Sequence, residues 1–265
     1  LFYIGTAGYS YRDWVGAVYP AGTKPGEMLE LYAREFPFAE INSTYYHLPG
    51  RKMIAGLAAK TTPGFRFAIK AFQQMTHTRD GGAGVFLQFA GALNPLVEAG
   101  KLACILAQFP YSFGNTPENR DYLRRFRELL PGLPVAVEFR NQRWICQDTF
   151  ALLREEGLAY VCVDEPDLKG LVRPVAVVTV PPAYVRFHGR NAARWYHHRE
   201  AYERYDYLYA EDELREWMPH LTLLREKAGE VYVSFNNHYR GQAVANVRMI
   251  RELIGSAGIR PAPPP

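Results

Sequence analysis

The chain has no apolar run of about eighteen residues and no basic leader followed by an apolar segment, so neither a membrane span nor a signal peptide is expected. Cysteine is scarce. Cys104, Cys146 and Cys162 are an odd number without metal-type spacing, and Cys104 and Cys162 fall inside expected strands. Buried reduced thiols in a reducing, cytoplasmic setting are the expectation. No G-x-S-x-G segment occurs, and no cysteine at a strand end has an obvious partner, so no side chain advertises itself as a covalent nucleophile. No repeat appears beyond strand–helix alternation, and no second domain is expected. Charge of either sign is not in excess: a net charge of +4 over 265 residues permits an anionic partner without demanding one. With 48% hydrophobic and 22% charged residues, whole-chain disorder is excluded and a large core is available. The chain opens at Leu1 rather than Met, which leaves its natural start open.

What is present is organised around Val135 to Trp144, VAVEFRNQRW. A strand-type run ends abruptly in Glu138, Arg140, Asn141, Arg143 and Trp144. Other apolar runs end in the same way at Asn42, Lys70, Gln108, Asp164, His188 and Asn237. With IGTAG at the front these make eight candidate strands, most followed by a helix-like segment. Parallel strands with polar C-terminal ends describe an α/β fold, a TIM-type (β/α)8 barrel with its active site at that rim. The barrel is expected over residues 1–258, with a Pro-rich tail, 259–265, extended or disordered. Residues 165–182 carry Pro166, Pro174, Pro181 and Pro182, so the helix between strands six and seven is expected to be irregular or missing, while VAVVTV reads as a strand. Residues 43–47 read as a rim loop, Thr116 as a helix cap before Pro117, Asp148 as a cap before Thr149, and 212–227 as one helix.

Side chains along a barrel strand alternate between the interior and the surrounding helices. On strand five Ala136, Glu138 and Arg140 are expected inward, and Val135, Val137 and Phe139 under helices. The same reading puts Glu40, Asn42, Arg66, Lys70, Arg186, His188, Ser234 and Asn236 inward. On strand six it puts Tyr160, Cys162 and Asp164 inward. Glu40, Arg66, Glu138 and Arg186 suit a structural ion network deep in the barrel, whereas residues at strand ends suit a ligand or catalysis.

Several segments together resemble the YecE-like family, catalogued as domain of unknown function 72. They are GTAGYSYRDWVGAVYP, EINSTYYHLP, FAIKA, VEFRNQRW, VDEP, YVRFHGRN and YVSFNNHYRGQAVAN, in order from Gly5 to about Asn246. The resemblance implies a TIM-type barrel and no settled reaction. Two positions depart from the family pattern: Asn141 stands where His often follows Glu-Phe-Arg, and His238 stands where Asp usually follows Asn-Asn.

Three functions fit these residues. In the first, an enzyme without a bound cofactor acts on an anionic ligand, phosphorylated, carboxylated or nucleotide-like. Lys70, Arg140 and Arg186 hold the anion. Glu138 or Asp164 serves as general acid or base, and His188 carries protons near neutral pH. Asn42 and Asn236 orient hydroxyls, and Tyr45 and Trp144 complete the binding wall. Arg140, last on its strand, is the cation expected to lack a carboxylate partner. In the second, Glu138, Asp164 and His188 bind a divalent metal in a phosphoesterase-, endonuclease- or isomerase-like enzyme, although the three cations of the mouth would repel it. In the third, the basic and aromatic rim segments around Trp14, Trp144 and Trp195 bind nucleic acid without catalysis, unless these tryptophans are loop anchors.

Overall fold

The computed structural model describes residues 1–259 and 261–263. Eight parallel strands close into a barrel in sequence order: β1 (Phe2–Ala7), β2 (Phe38–Ile41), β3 (Arg66–Lys70), β4 (Leu102–Gln108), β5 (Val135–Glu138), β6 (Ala159–Asp164), β7 (Ala183–Phe187) and β8 (Val231–Phe235). β1 pairs with both β2 and β8, which completes the ring. This is the expected TIM-type barrel. Its strands read as nearly continuous apolar runs because both faces are covered, one by the interior and one by helices.

The helices are α1 (Met28–Ala33), α2 (Ser43–Tyr46), α3 (Arg51–Ala59), α4 (Gln73–Thr76), α5 (Ala83–Glu98), α6 (Pro117–Glu128), α7 (Gln147–Glu155), α8 (Glu211–Arg215), α9 (Met218–Ala228) and α10 (Gln242–Ser256). Thr116 caps α6 by accepting from Asn119 N at 3.3 Å, and Pro117 takes the first turn, where its missing N–H leaves no bond unmade.

Several local expectations give way. Residues 43–46 form the short helix α2 rather than an open loop. Cys146, not Asp148, occupies the N-cap of α7, and Asp148 lies in its first turn. The single helix expected over 212–227 is two helices, α8 and α9, broken at Trp217. Pro219 favours that break, since proline fits the first turn of a helix and not its interior. Between β6 and β7 there is no helix, as expected, but VAVVTV also fails to join the sheet. Val175 to Val178 instead pack against the helix-side core. In the tail, Pro261 bridges to Phe2 and Ala262 N donates to Phe2 O at 2.7 Å, so this part lies along β1. The expectation for residues 260, 264 and 265 lies outside the described residues.

The barrel interior is layered. Near its N-terminal end Tyr3 stacks on Tyr232 at 5.0 Å, and Phe38 meets Tyr184 and Tyr232. Ala68, Leu106, Ala136 and Val161 fill the space around these rings. Above them the interior turns polar, and above that it opens at the rim.

Candidate functional site

The polar layer is an ion cluster built from alternate residues of β2, β5 and β7, joined by Glu165 just past the end of β6. Arg186 on β7 donates from Nε to Glu40 Oε2 at 2.8 Å and from Nη2 to Glu40 Oε1 at 2.6 Å. Its Nη1 donates to Glu138 Oε2. Tyr184 OH donates to Glu40 Oε2 at 2.5 Å. Arg140 Nε lies 2.6 Å from Glu138 Oε1, and Arg140 Nη1 donates to Glu165 Oε2 at 2.9 Å. Three carboxylates and two guanidiniums thus interlock, with Arg186, Glu40 and Glu138 sealed from solvent. Arg66 stays out of this cluster. Its Nη1 donates to Pro63 O at 3.0 Å, and its guanidinium lies 5.7 Å from the Tyr3 ring centre at the other end of the barrel.

His188 sits within the cluster. Its Nε2 lies 3.1 Å from Arg140 Nη2 and 3.2 Å from Glu138 Oε1, and its Nδ1 lies 3.2 Å from Asn236 Nδ2. Burial and then the Arg140 guanidinium push its pKa down to about 3, against the pull of Glu138. A neutral imidazole has a single acceptor nitrogen, so in this position it accepts from Arg140 or from Asn236 but not from both. It does not match the proton carrier near neutral pH that the sequence suggested. Burial would raise the Glu138 carboxyl, but Arg186, Arg140 and His188 hold it well below the usual range. Glu165 goes the other way. Burial, with Glu138 adding to it, pushes its pKa up to about 7 although Arg140 lies beside it.

Strand six inverts the expected parity. Val161 and Val163 face the interior, whereas Tyr160 and Cys162 join the helix-side core. Asp164 therefore points away from the pocket. Its carboxylate accepts from Tyr209 OH at 2.6 Å, from Trp217 Nε1 at 2.7 Å and from Arg190 Nη2 at 2.8 Å. These donors come from the β7–α8 segment and the α8–α9 break, so Asp164 ties that segment to the barrel wall. Glu165, one residue on, takes the inward place. The three residues suggested as metal ligands, Glu138, Asp164 and His188, are consequently not brought together. Among the described residues no group of three His, Cys, Asp or Glu side chains is placed to hold a metal ion.

Above the ion cluster a cavity of about 460 Å³ opens at the C-terminal rim. Asn42, Lys70, Gln108, Arg140, Arg186 and Asn236 form its polar lining, and Tyr11, Tyr45, Tyr46, Tyr202, Tyr205 and His238 its aromatic wall. Glu200 also stands on that wall. The structure thus gathers all the expected binding residues except Trp144. That indole is fully buried, stacks on Phe139 at 4.4 Å and donates to Phe113 O at 2.6 Å, so it anchors the loop after β5. Trp14 is an anchor as well, donating to His238 O at 2.7 Å, and Trp195 is buried. None of the three is free to stack on a base. The sequence reading missed Gln108, Tyr46, Glu200, Tyr202, Tyr205, His238 and Glu165 and offered Tyr11 only for nucleic-acid binding. Gln108 carried a signal, as the polar end of an apolar strand.

Lys70, rather than Arg140, is the pocket cation without a carboxylate partner. Among the described residues no carboxylate oxygen lies within 4.0 Å of its Nζ, whereas Arg140 and Arg186 are both paired. Lys70 Nζ lies 4.6 Å from the Tyr45 ring centre. Burial and then Arg186 push its pKa down to about 8, against the opposing pull of Glu40 and Glu138. Two further pocket atoms, Asn42 Oδ1 and His238 Nδ1, are buried without a hydrogen-bond partner.

Fold and pocket together define a TIM-type barrel protein whose polar cavity lies at the C-terminal end of the strands, where barrels of this type carry their active sites. The family model described as "Protein of unknown function DUF72" matches residues 3–265, and the chain belongs to that family. It is similar to the UPF0759 protein YunF of Bacillus subtilis, with 33% identity over 96% of this chain and 95% of that protein. Over 150 residues, 56% of this chain and 51% of the other, it is 28% identical to the UPF0759 protein YecE of Escherichia coli. A solved DUF72 family protein from Thermotoga maritima superposes with a TM-score of 0.89 at 39% identity, covering 96% of this chain and 99% of that one. Another from Enterococcus faecalis gives 0.86 at 28% identity, covering 96% of each chain.

Proposed function

We propose that the rim cavity binds a small hydroxylated anion, such as a phosphate or carboxylate ester of a sugar or nucleoside, and that the protein is an enzyme acting on it by proton transfer. The observation that carries this reading is the unpaired ammonium group of Lys70. Glu40, Glu138 and Glu165 are all engaged by Arg186 and Arg140, so none of them neutralises it. A ligand anion supplies the missing partner. Asn42 Oδ1 calls for a donor, which a ligand hydroxyl provides, and the tyrosine wall suits the face of a sugar or base.

The acid and base differ from those the sequence suggested. Glu138 is locked between two guanidiniums and Asp164 faces the helices. Lys70, at about 8, exchanges its proton near neutral pH and faces the cavity. Glu138 and His188 are positioning residues, which set the guanidinium edges of Arg140 and Arg186. Calorimetric titration with inorganic phosphate, glycerol phosphate and ribose 5-phosphate tests the binding. A charge-assisted contact is worth about 1.5–3 kcal/mol, so Lys70→Met should weaken the best of these by about ten- to a hundredfold. No binding of any of them at millimolar concentration, or unchanged affinity in the variant, would remove the reading.

A further inference from the structure

We infer that Lys70 is an amine nucleophile that forms an imine with the carbonyl group of an anionic substrate held in the rim cavity. This rests on the anion-binding reading above and adds the substrate's second functional group. The geometry supports it at several points. Lys70 closes β3 and points into the mouth of the barrel. Its backbone is fixed on both sides. β3 pairs Lys70 with Leu106 of β4, and Thr44 Oγ1 donates to Lys70 O at 2.6 Å. The side chain rises from this fixed base beside the ring of Tyr45, 4.6 Å from Nζ. Among the described residues its Nζ neither pairs with a carboxylate nor donates a hydrogen bond.

A lysine that only anchors an anion is best kept fully charged. This one is shifted toward the uncharged amine, since burial and the guanidiniums of Arg186 and Arg140 lower its pKa, with Glu40 and Glu138 pulling against them. Desolvation and a neighbouring cation are the two devices that activate amine nucleophiles in enzymes. At pH 7.5 an amine that titrates at about 8 is about a quarter uncharged, against about a tenth of a per cent for an ordinary lysine. The anion does not need Lys70 alone. Arg140 keeps 12% of its side chain exposed and also lines the cavity. Its Nη1 and Nη2 each carry a second N–H besides those facing Glu165 and His188, and these can meet the anionic group while the carbonyl faces Nζ.

The chemistry balances without any oxidant or reductant. The uncharged Nζ adds to the carbonyl carbon, the C–N bond forms, and the π pair of the C=O moves to oxygen, which takes up a proton as nitrogen releases one to water. The resulting hydroxyl is protonated and leaves as water while the nitrogen lone pair closes the C=N bond of an iminium ion, whose remaining N–H proton then passes to water and replaces the one spent on the hydroxyl. Amine and carbonyl have become imine and one water.

The test is reductive trapping on the intact protein with glyoxylate, an anionic aldehyde, and with glycolaldehyde, a neutral one of similar size. Each is supplied with cyanoborohydride and the products are mapped by peptide mass spectrometry. The sequence contains seven lysines, so the six others serve as internal controls. Glyoxylate should label Lys70 faster than any other lysine by about ten- to a hundredfold at pH 7.5. Inorganic phosphate should slow that labelling. Lys70→Arg, which keeps the charge, should still bind phosphate by calorimetry but lose the fast-labelling phase seen in whole-protein mass. Labelling spread evenly over the lysines overturns the imine, and if phosphate still binds, the anion-binding reading survives alone. Lys70 labelled equally fast by glycolaldehyde and glyoxylate overturns the anionic substrate while leaving a reactive amine.

Discussion

Arg186→Met removes the cation that Glu40 and Glu138 share. Arg186 donates to both Glu40 oxygens and to Glu138 Oε2, and none of the three side chains is more than 2% exposed. Methionine restores much of the aliphatic volume, so the loss is electrostatic rather than a cavity effect. Removing one partner of a buried ion pair costs about 3–5 kcal/mol, because the other partner stays buried and uncompensated. At about 2–4 °C per kcal/mol for a chain of this size, Tm should fall by about 6–20 °C. The pH dependence gives a sharper check. In the wild type, Glu138 is held well below its ordinary value of 4.5, so its contribution is present above that pH and is lost on acidification through the lower folded value. In the variant, burial, which raises the pKa, is opposed by Arg140 and His188 without Arg186. Where burial outweighs Arg140 alone, the carboxyl folds with its proton, and its stability contribution falls as pH rises past 4.5. The deficit of Arg186→Met should therefore be larger at pH 8 than at pH 5. Urea denaturation of both proteins at both pH values, followed by fluorescence and circular dichroism, measures it. A deficit under about 1 kcal/mol at pH 8 would show that the cluster is not the buried, interlocked network described above. A deficit that grows on acidification would refute the sign of the argument.

Two further outcomes follow from the same geometry. Lys70→Met should stabilise the protein at pH 7 by about 1 kcal/mol, discounted for the solvent that reaches the side chain. An ammonium lowered from 10.5 to about 8 costs stability below about 8, and that cost fades as pH rises toward 10.5, so the advantage should be greatest below pH 8 in thermal unfolding. The His188 ring, pushed down to about 3, should show no titration between pH 5 and 8 by NMR, and a midpoint near 6.5 would place it outside the guanidinium cluster.

The barrel was legible because each strand stops where its apolar run meets polar residues, as VAVE does at Glu138 and VYVSF does at Phe235. Facing was legible on β5, β7 and β8, where one parity is aromatic or β-branched and the other carries Glu138, Arg186 or Ser234. It failed on β6 for a physical reason. YVCVDE ends in two carboxylates, one of each parity, and both faces of a parallel strand are buried. Polarity alone cannot choose between them. The choice was made by Tyr209 and Trp217, far along the chain, whose O–H and N–H needed the outward carboxylate of Asp164. The partner of each cation was illegible for the same reason. Arg140 looked free because it is last on its strand, yet Glu165, from the next strand's end, reaches it.

That pairing also explains how one interior holds two kinds of polar chemistry. Arg186 and Arg140 are planar forks, and each meets carboxylates from two different residues, so the acidic groups of the cluster are used up in a rigid floor. His188, kept neutral, fills the gap in that floor without adding a charge. Lys70, a flexible cation placed above it, is left among the described residues with an aromatic ring and the open cavity. A network that satisfied every cation would be more stable and would have nothing to offer a ligand. Leaving Lys70 uncompensated, over carboxylates already committed elsewhere, is how this barrel keeps an amine available at its mouth.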